Sequence, residues 1–117
     1  MDFAFWRQSV INAAKRAADR TYQERVWFGH GPERDSPDEL LCTFLDDLVF
    51  EQFLVNPKLS NLERTAASHL YKAVETYADC TPRTLKPEDV INDPRFENLR
   101  TAATEFLRIA QREPTNF

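Results

Sequence analysis

The chain has 117 residues, enough for one domain that buries its own core without staples. Hydrophobic residues make up 42% of it, nine are Phe and only two are Gly, which favours helices over strands joined by tight turns. Two cysteines are too few for a secreted disulfide scaffold, and no signal peptide or run of about 18 apolar residues is present. The composition predicts a cytoplasmic protein with free thiols and no membrane partner.

The charge is concentrated in one segment. Residues 1–34 carry six Lys or Arg against four Asp or Glu, and residues 58–117 carry nine of each. Residues 35–57 hold no basic residue, so this segment accounts for the net charge of −4 and would repel nucleic acid but attract a basic surface. Its carboxylates are Asp35, Asp38, Glu39, Asp46, Asp47 and Glu51.

The first elements are a long helix and a short one. Phe3, Trp6 and Val10 begin an apolar pattern with spacings of three and four, which predicts a helix over residues 3–18. Thr21, with Glu24 three residues later, predicts the start of a short second helix. Residues 28–35 contain both glycines and are expected to form a loop.

Residues 36–55 are predicted to form one central helix around which the others are arranged. Ser36 as cap, Pro37 in the first turn and Glu39 three residues after the cap form a helix-start signature. At about 100° per residue, one side is apolar, and the side chains on it are Leu41, Phe44, Leu45, Leu48 and Val55. Phe50 and Phe53 fall near the acidic side, so the helix is either wrapped by others or displays aromatic rings to a partner.

Three more helices complete the expected fold. Ser60 and Glu63 predict a capping box for a helix that extends to about residue 79, residues 87–91 form a short helical turn, and Asp93 followed by Pro94 begins the last helix. Residues 113–117 are expected to fray. The sum is an all-α fold, a single compact bundle of four main helices plus one or two short helices, spanning residues 1–117 as one domain.

No catalytic, metal or cofactor site is predicted. His30 and His69 are far apart in sequence, and neither Cys42 nor Cys80 has another ligand at metal spacing. Alternatives remain for each residue: a turn or a binding loop at His30, a hydrogen-bonded packing residue or a catalytic base at His69, a small buried hydrophobe or a nucleophile at Cys42. A Cys42–Cys80 bridge is the alternative to free thiols.

The acidic segment has two interpretations. One is a solvated face that serves solubility, and the other is a surface for a basic protein, because aromatic side chains inside a charged rim are typical of binding hot spots. The candidate partner-binding residues are Trp27, His30, Asp35, Asp38, Glu39, Asp46, Asp47, Phe50, Glu51 and Leu54.

The order of three short motifs resembles a known group of proteins. YQERVW at residues 22–27, FLDD at 44–47 and DPRF at 93–96 follow one another as they do in small all-helical immunity-type proteins of bacterial polymorphic toxin and contact-dependent growth inhibition systems. The resemblance implies a cytosolic protein without enzymatic activity or cofactor that neutralises one cognate toxin, often a nuclease with a basic cleft. The alternative from another class is a regulatory or scaffold module that forms a homodimer through Phe50, Phe53 and Leu54.

Overall fold

The computed structural model describes residues 2–82 and 85–112, and all regular structure in them is helical. The expectation that residues 113–117 fray lies outside the described residues. The radius of gyration is 13.9 Å, close to the roughly 13 Å of a compact chain of about this length. The prediction of a compact all-α fold is confirmed.

The described residues form seven α-helices and one π-helical segment. In chain order these are α1 (Phe3–Ala18), α2 (Arg20–Val26), α3 (Pro37–Cys42), the π-helical segment (Thr43–Asp47), α4 (Phe50–Leu54), α5 (Asn61–Asp79), α6 (Pro87–Ile91) and α7 (Pro94–Arg112). Three of them, α1, α5 and α7, have 16 residues or more, so the expected fourth long helix is missing.

Helix α7 lies at the centre of the bundle and packs extensively against both α1 and α5. Its buried apolar side chains recur every three or four residues, as an amphipathic helix requires, and are Phe96, Leu99, Ala103, Phe106 and Ala110. The bundle is therefore organised around α7, and the prediction that residues 36–55 are its organising helix is wrong.

The predicted central helix is broken into three parts. The Leu48 N–H donates to the carbonyl of Thr43 at 3.0 Å, five residues back, which is the π-helical spacing. Val49 then adopts the left-handed conformation with φ 49° and ψ 53°, and α4 starts at the next residue. The wider turn and the left-handed residue redirect the chain, so a face counted at 100° per residue is no longer valid beyond Thr43.

The break turns the next two aromatic rings inward. Phe50 and Phe53 are 1% and 0% exposed. The Phe53 ring stacks on Phe3 with centroids 5.7 Å apart, and Phe50 stacks on Tyr71 at 4.9 Å. The homodimer patch of Phe50, Phe53 and Leu54 is therefore wrong, because two of its residues are core and Leu54 is half-buried.

Most of the predicted helix caps are confirmed. The hydroxyl of Ser36 accepts from the N–H of Glu39 at 3.0 Å, and that of Ser60 accepts from the N–H of Glu63 at 3.2 Å. The Asp93 carboxylate likewise accepts from the Arg95 N–H in the first turn of α7. For α2 the cap is Asp19, not Thr21, because the Asp19 carboxylate accepts from the N–H of Tyr22.

A buried ion pair joins the three long helices. The Glu63 carboxylate accepts from Arg7 at 2.7 Å instead of closing a capping box, and both side chains are nearly inaccessible to solvent. The Arg7 guanidinium also donates to the main-chain carbonyl of Ala110. Since a buried charge requires both a partner and full hydrogen bonding, this arrangement fixes how α1, α5 and α7 meet.

Candidate partner-binding site

The negative charge of Asp35 is balanced inside the protein by Arg16. Its carboxylate accepts from the Arg16 guanidinium at 2.6 Å, the Tyr22 hydroxyl at 3.0 Å and the Ser36 N–H at 2.9 Å, and its side chain is 2% exposed. The Trp27 indole N–H lies 3.4 Å from the same carboxylate, and Trp27 is 6% exposed. Asp35 and Trp27 are therefore not on the surface, which corrects the prediction that they contact a partner.

Asp35 and the groups that bind it, from Arg16, Tyr22 and Ser36, hold the loop after α2 against α1. Burial alone would raise the pKa of Asp35, but the hydrogen bonds and charge of Arg16, together with the Ser36 N–H and the Tyr22 hydroxyl, hold that pKa below its ordinary value. The carboxylate therefore stays ionised and anchors the loop.

Three other predicted residues, Asp38, Glu39 and His30, do not line the cleft that Asp46 and Glu51 share. Asp38 is half-buried, and its carboxylate accepts from the Leu85 N–H at 3.4 Å. Glu39 is exposed at a polar depression of about 630 Å³ beside the loop after α2. His30 is exposed in that loop, where its main-chain N–H donates to the carbonyl of Arg25.

The other acidic residues flank a shallow cleft between α4 and α5, which we call the Tyr71 cleft. It has a volume of about 330 Å³, and its lining residues are Leu45, Asp46, Val49, Phe50, Glu51, Gln52 and Tyr71. Asp46 and Glu51 are exposed, and neither forms an ion pair or side-chain hydrogen bond with any described residue. Asp47, beside Asp46, is exposed and likewise unpaired within the described part of the chain. These three carboxylates present uncompensated negative charge.

Apolar groups lie between the carboxylates. Val49, in the left-handed conformation, is 47% exposed. The ring of Tyr71 covers Phe50 in a parallel stack with an interplanar angle of 2°. The Phe50 ring thus supports the cleft from below instead of contacting solvent.

The electrostatic field of the cleft acts on Tyr71. Burial raises the pKa of the Tyr71 phenol, and the nearby charges of Glu75, Glu51 and Asp46 raise it further. The negative charges of α5, α4 and the π-helical segment therefore converge near one hydroxyl group.

Sequence reasoning missed Tyr71, Val49 and Glu75. Glu75 lies one turn after Tyr71 on α5. The sequence alone indicates that this acid and this aromatic residue share one face of the helix, because they are four residues apart. The exposure of Val49 was not visible, because its neighbours predict a regular helix.

The described residues contain no group of three or more His, Cys, Asp or Glu placed to hold a metal ion. Among them, no helix has the length and apolar character to cross a membrane. Cys42 and Cys80 are free thiols, as predicted, and both are exposed, so the expectation that Cys42 is a buried hydrophobe is wrong. His69 is exposed rather than held as a packing residue.

The chain matches no family model, no curated protein and no solved structure. The resemblance to immunity-type proteins therefore depends on the three sequence motifs alone.

Proposed function

We propose that this chain is a cytoplasmic, non-enzymatic binding protein of the immunity type, which neutralises a cognate protein toxin through the Tyr71 cleft and the adjoining Asp47. The observation that carries the proposal is that Asp46, Asp47 and Glu51 are exposed and have no cationic partner in the described part of the chain. A basic partner gains their attraction without first breaking an internal ion pair.

The surface combines the two features that a protein interface needs. Exposed carboxylates accelerate encounter with a positively charged partner and select against acidic ones. The apolar side chain of Val49 and the ring of Tyr71 provide area that a partner can desolvate, which slows dissociation. We expect the rim charges to set the association rate and the apolar centre to set the lifetime.

A nuclease toxin is the leading partner class. A nuclease binds phosphates through a cleft lined by Lys and Arg, and carboxylates at the surface of an inhibitor occupy the same cations. The same negative charge repels nucleic acid, so we expect that the inhibitor does not bind nucleic acid itself. The inhibitor then acts by covering the substrate-binding surface, so no chemistry of its own is required.

The test begins with the gene that lies upstream of the gene for this protein. We expect that gene to encode a large secreted protein with a short variable C-terminal domain, whose expression stops growth unless this chain is present. The double variant Asp46→Lys, Glu51→Lys should weaken binding to that domain by about 2–5 kcal/mol and abolish protection.

Glu88→Lys with Asp89→Lys is the matched control, because both residues are exposed on α6 and the change in net charge is the same. It should retain affinity and protection. Equal affinity of the two double variants would refute the role of the Tyr71 cleft. Lack of binding between the unmodified chain and the toxin domain would refute the immunity function itself.

The second candidate function is that of a scaffold module that self-associates. It would do so through a surface other than Phe50, Phe53 and Leu54. Phe5, Val55 and Leu62 are 66%, 76% and 66% exposed. Phe5 lies two residues before Arg7 and Leu62 directly before Glu63, so the two are on the helices that the Arg7–Glu63 pair joins. A stable dimer at low micromolar concentration in sedimentation, dissociated by Phe5→Ser with Leu62→Ser, would favour this module over the immunity protein.

A further inference from the structure

A second cavity lies between α5 and the first turns of α7. Its volume is about 380 Å³, and the residues that matter to its chemistry are His69, Lys72, Thr76, Tyr77, Cys80 and Arg95. Lys72 and Thr76 follow the side of α5 away from Tyr71, so this groove is separate from the Tyr71 cleft. Its size is near the lower end of the roughly 300–1,000 Å³ typical of small-molecule sites.

Two basic side chains, Lys72 and Arg95, line the groove of this acidic protein. No carboxylate is among the described residues that line it, whereas the protein carries a net charge of −4. The Lys72 ammonium forms no ion pair or hydrogen bond with any described residue. Arg95 is held in place by the Asp93 carboxylate at 2.9 Å and by the carbonyl of Cys80 at 2.9 Å. Among the described lining residues, Lys72 is therefore the cation without a partner, whereas Arg95 is paired with Asp93.

Ala73 is half-buried and gives the groove an apolar wall. The ring of Tyr77 is 3% exposed and supports the groove from beneath, because the Arg95 guanidinium lies over it with 5.9 Å between its central carbon and the ring centroid. Thr76 and His69 add polar groups whose side chains form no hydrogen bond with the described residues. An apolar base with cations and free polar groups at the rim is the composition of a ligand site, in which the polar groups fix the orientation.

We propose that this groove binds a small organic anion with an apolar body, whose charged group meets Lys72 and whose body lies against Ala73. The proposal does not depend on the immunity function, because the groove and the Tyr71 cleft share no lining residue. It assigns the chain a small-molecule site on α5 in addition to its protein-binding surface.

The exposed thiol of Cys80 reports occupancy of the groove. Cys42 is also exposed but lines no part of the groove, so it is a reference within the same molecule. Alkylation of the full chain by neutral iodoacetamide is followed at each cysteine by peptide mass spectrometry with increasing naphthoate. We expect naphthoate to slow the reaction of Cys80 at saturation by about fivefold or more and to leave Cys42 unchanged.

Two comparisons test the chemistry. Uncharged naphthylmethanol should protect Cys80 at least about tenfold more weakly than naphthoate, and Lys72→Gln should weaken protection by naphthoate by a similar factor. Lys58→Gln removes an exposed lysine outside the groove and should leave protection intact. Thermal unfolding establishes that both variants are folded. Absence of protection, equal protection of the two cysteines, equal effects of the two ligands or insensitivity to Lys72→Gln would each overturn the proposal.

Discussion

The indole Nε1 of Trp6 donates a hydrogen bond of 2.7 Å to the main-chain carbonyl of Leu48, 42 residues later in the chain. Leu48 directly precedes the left-handed Val49, where the helix is interrupted and carbonyl groups lose their partners within it. Helix α1 therefore supplies the donor that an uninterrupted helix would have supplied. This contact couples the core to the break that shapes the Tyr71 cleft.

Removing the donor of that bond should destabilise the protein. Trp6→Phe keeps an aromatic ring against Phe53 but leaves the Leu48 carbonyl without the indole N–H. We expect a loss of about 1–3 kcal/mol in the free energy of unfolding, measured by urea denaturation. Phe5→Leu changes a neighbouring exposed aromatic residue and should have little effect. A Trp6→Phe variant as stable as the unmodified chain would show that the bond does not support the break.

Glycine at position 49 should stabilise the fold. Val49 is a β-branched residue in the left-handed region, a strained conformation that glycine adopts freely. Because Val49 is about half exposed, little burial is lost, and we expect Val49→Gly to add roughly 0.5–1 kcal/mol to the free energy of unfolding.

Val49→Ala is the control for this change. It removes the same two methyl groups but still places a Cβ atom in the left-handed region. Chemical denaturation of the pair should therefore rank glycine above alanine, and the reverse order would argue against strain at this position.

Acid should weaken the protein through Asp35. Its folded-state pKa lies below the ordinary 3.8, so ionised Asp35 stabilises the fold fully above that value, and this contribution is lost as the pH falls through the folded-state pKa. Asp35→Asn should be less stable than the unmodified chain near neutral pH, and the difference should shrink in strong acid. Urea midpoints measured between about pH 6 and about pH 2 test this.

Glu88→Gln provides the reference, since Glu88 is an exposed carboxylate on α6 without a hydrogen bond or ion pair to any described residue. Its stability should follow that of the unmodified chain across the same range. A constant gap between Asp35→Asn and the unmodified chain down to the lowest pH would contradict the assignment.

The pKa of the Tyr71 phenol should report the negative charge around the cleft. Burial and the charges of Glu75, Glu51 and Asp46 raise its pKa in that order, so Glu75→Gln and Glu51→Gln should each lower the pKa of Tyr71 and Asp46→Asn should lower it less. Alkaline titration of the tyrosine ring carbons by NMR resolves each phenol. Tyr77, with a pKa raised to about 12 by burial and Asp93, is the internal reference and should not move. A Tyr71 pKa unaffected by all three substitutions would mean that the carboxylates do not converge there.

The local signals in the sequence were sufficient for the three long helices and for most of the caps. The apolar spacing of α1, α5 and α7 and the caps at Ser36, Ser60 and Asp93 depend on contacts within a few residues, so each can be inferred without knowledge of the rest of the chain. The concentration of carboxylates in residues 35–57 is also a property of the sequence alone.

Tertiary structure decides whether each carboxylate is buried and paired or exposed. Asp35 and Glu51 are both acids in the same charged segment, yet Asp35 meets Arg16 of another helix and Glu51 meets no described cation. At the break before Val49, the Leu48 carbonyl likewise accepts from Trp6, a donor from a distant part of the chain. Local sequence sets where the long helices form and where most helices are capped, whereas pairing between distant residues sets which charges and rings remain exposed, because burial and neutralisation depend on what packs against each group.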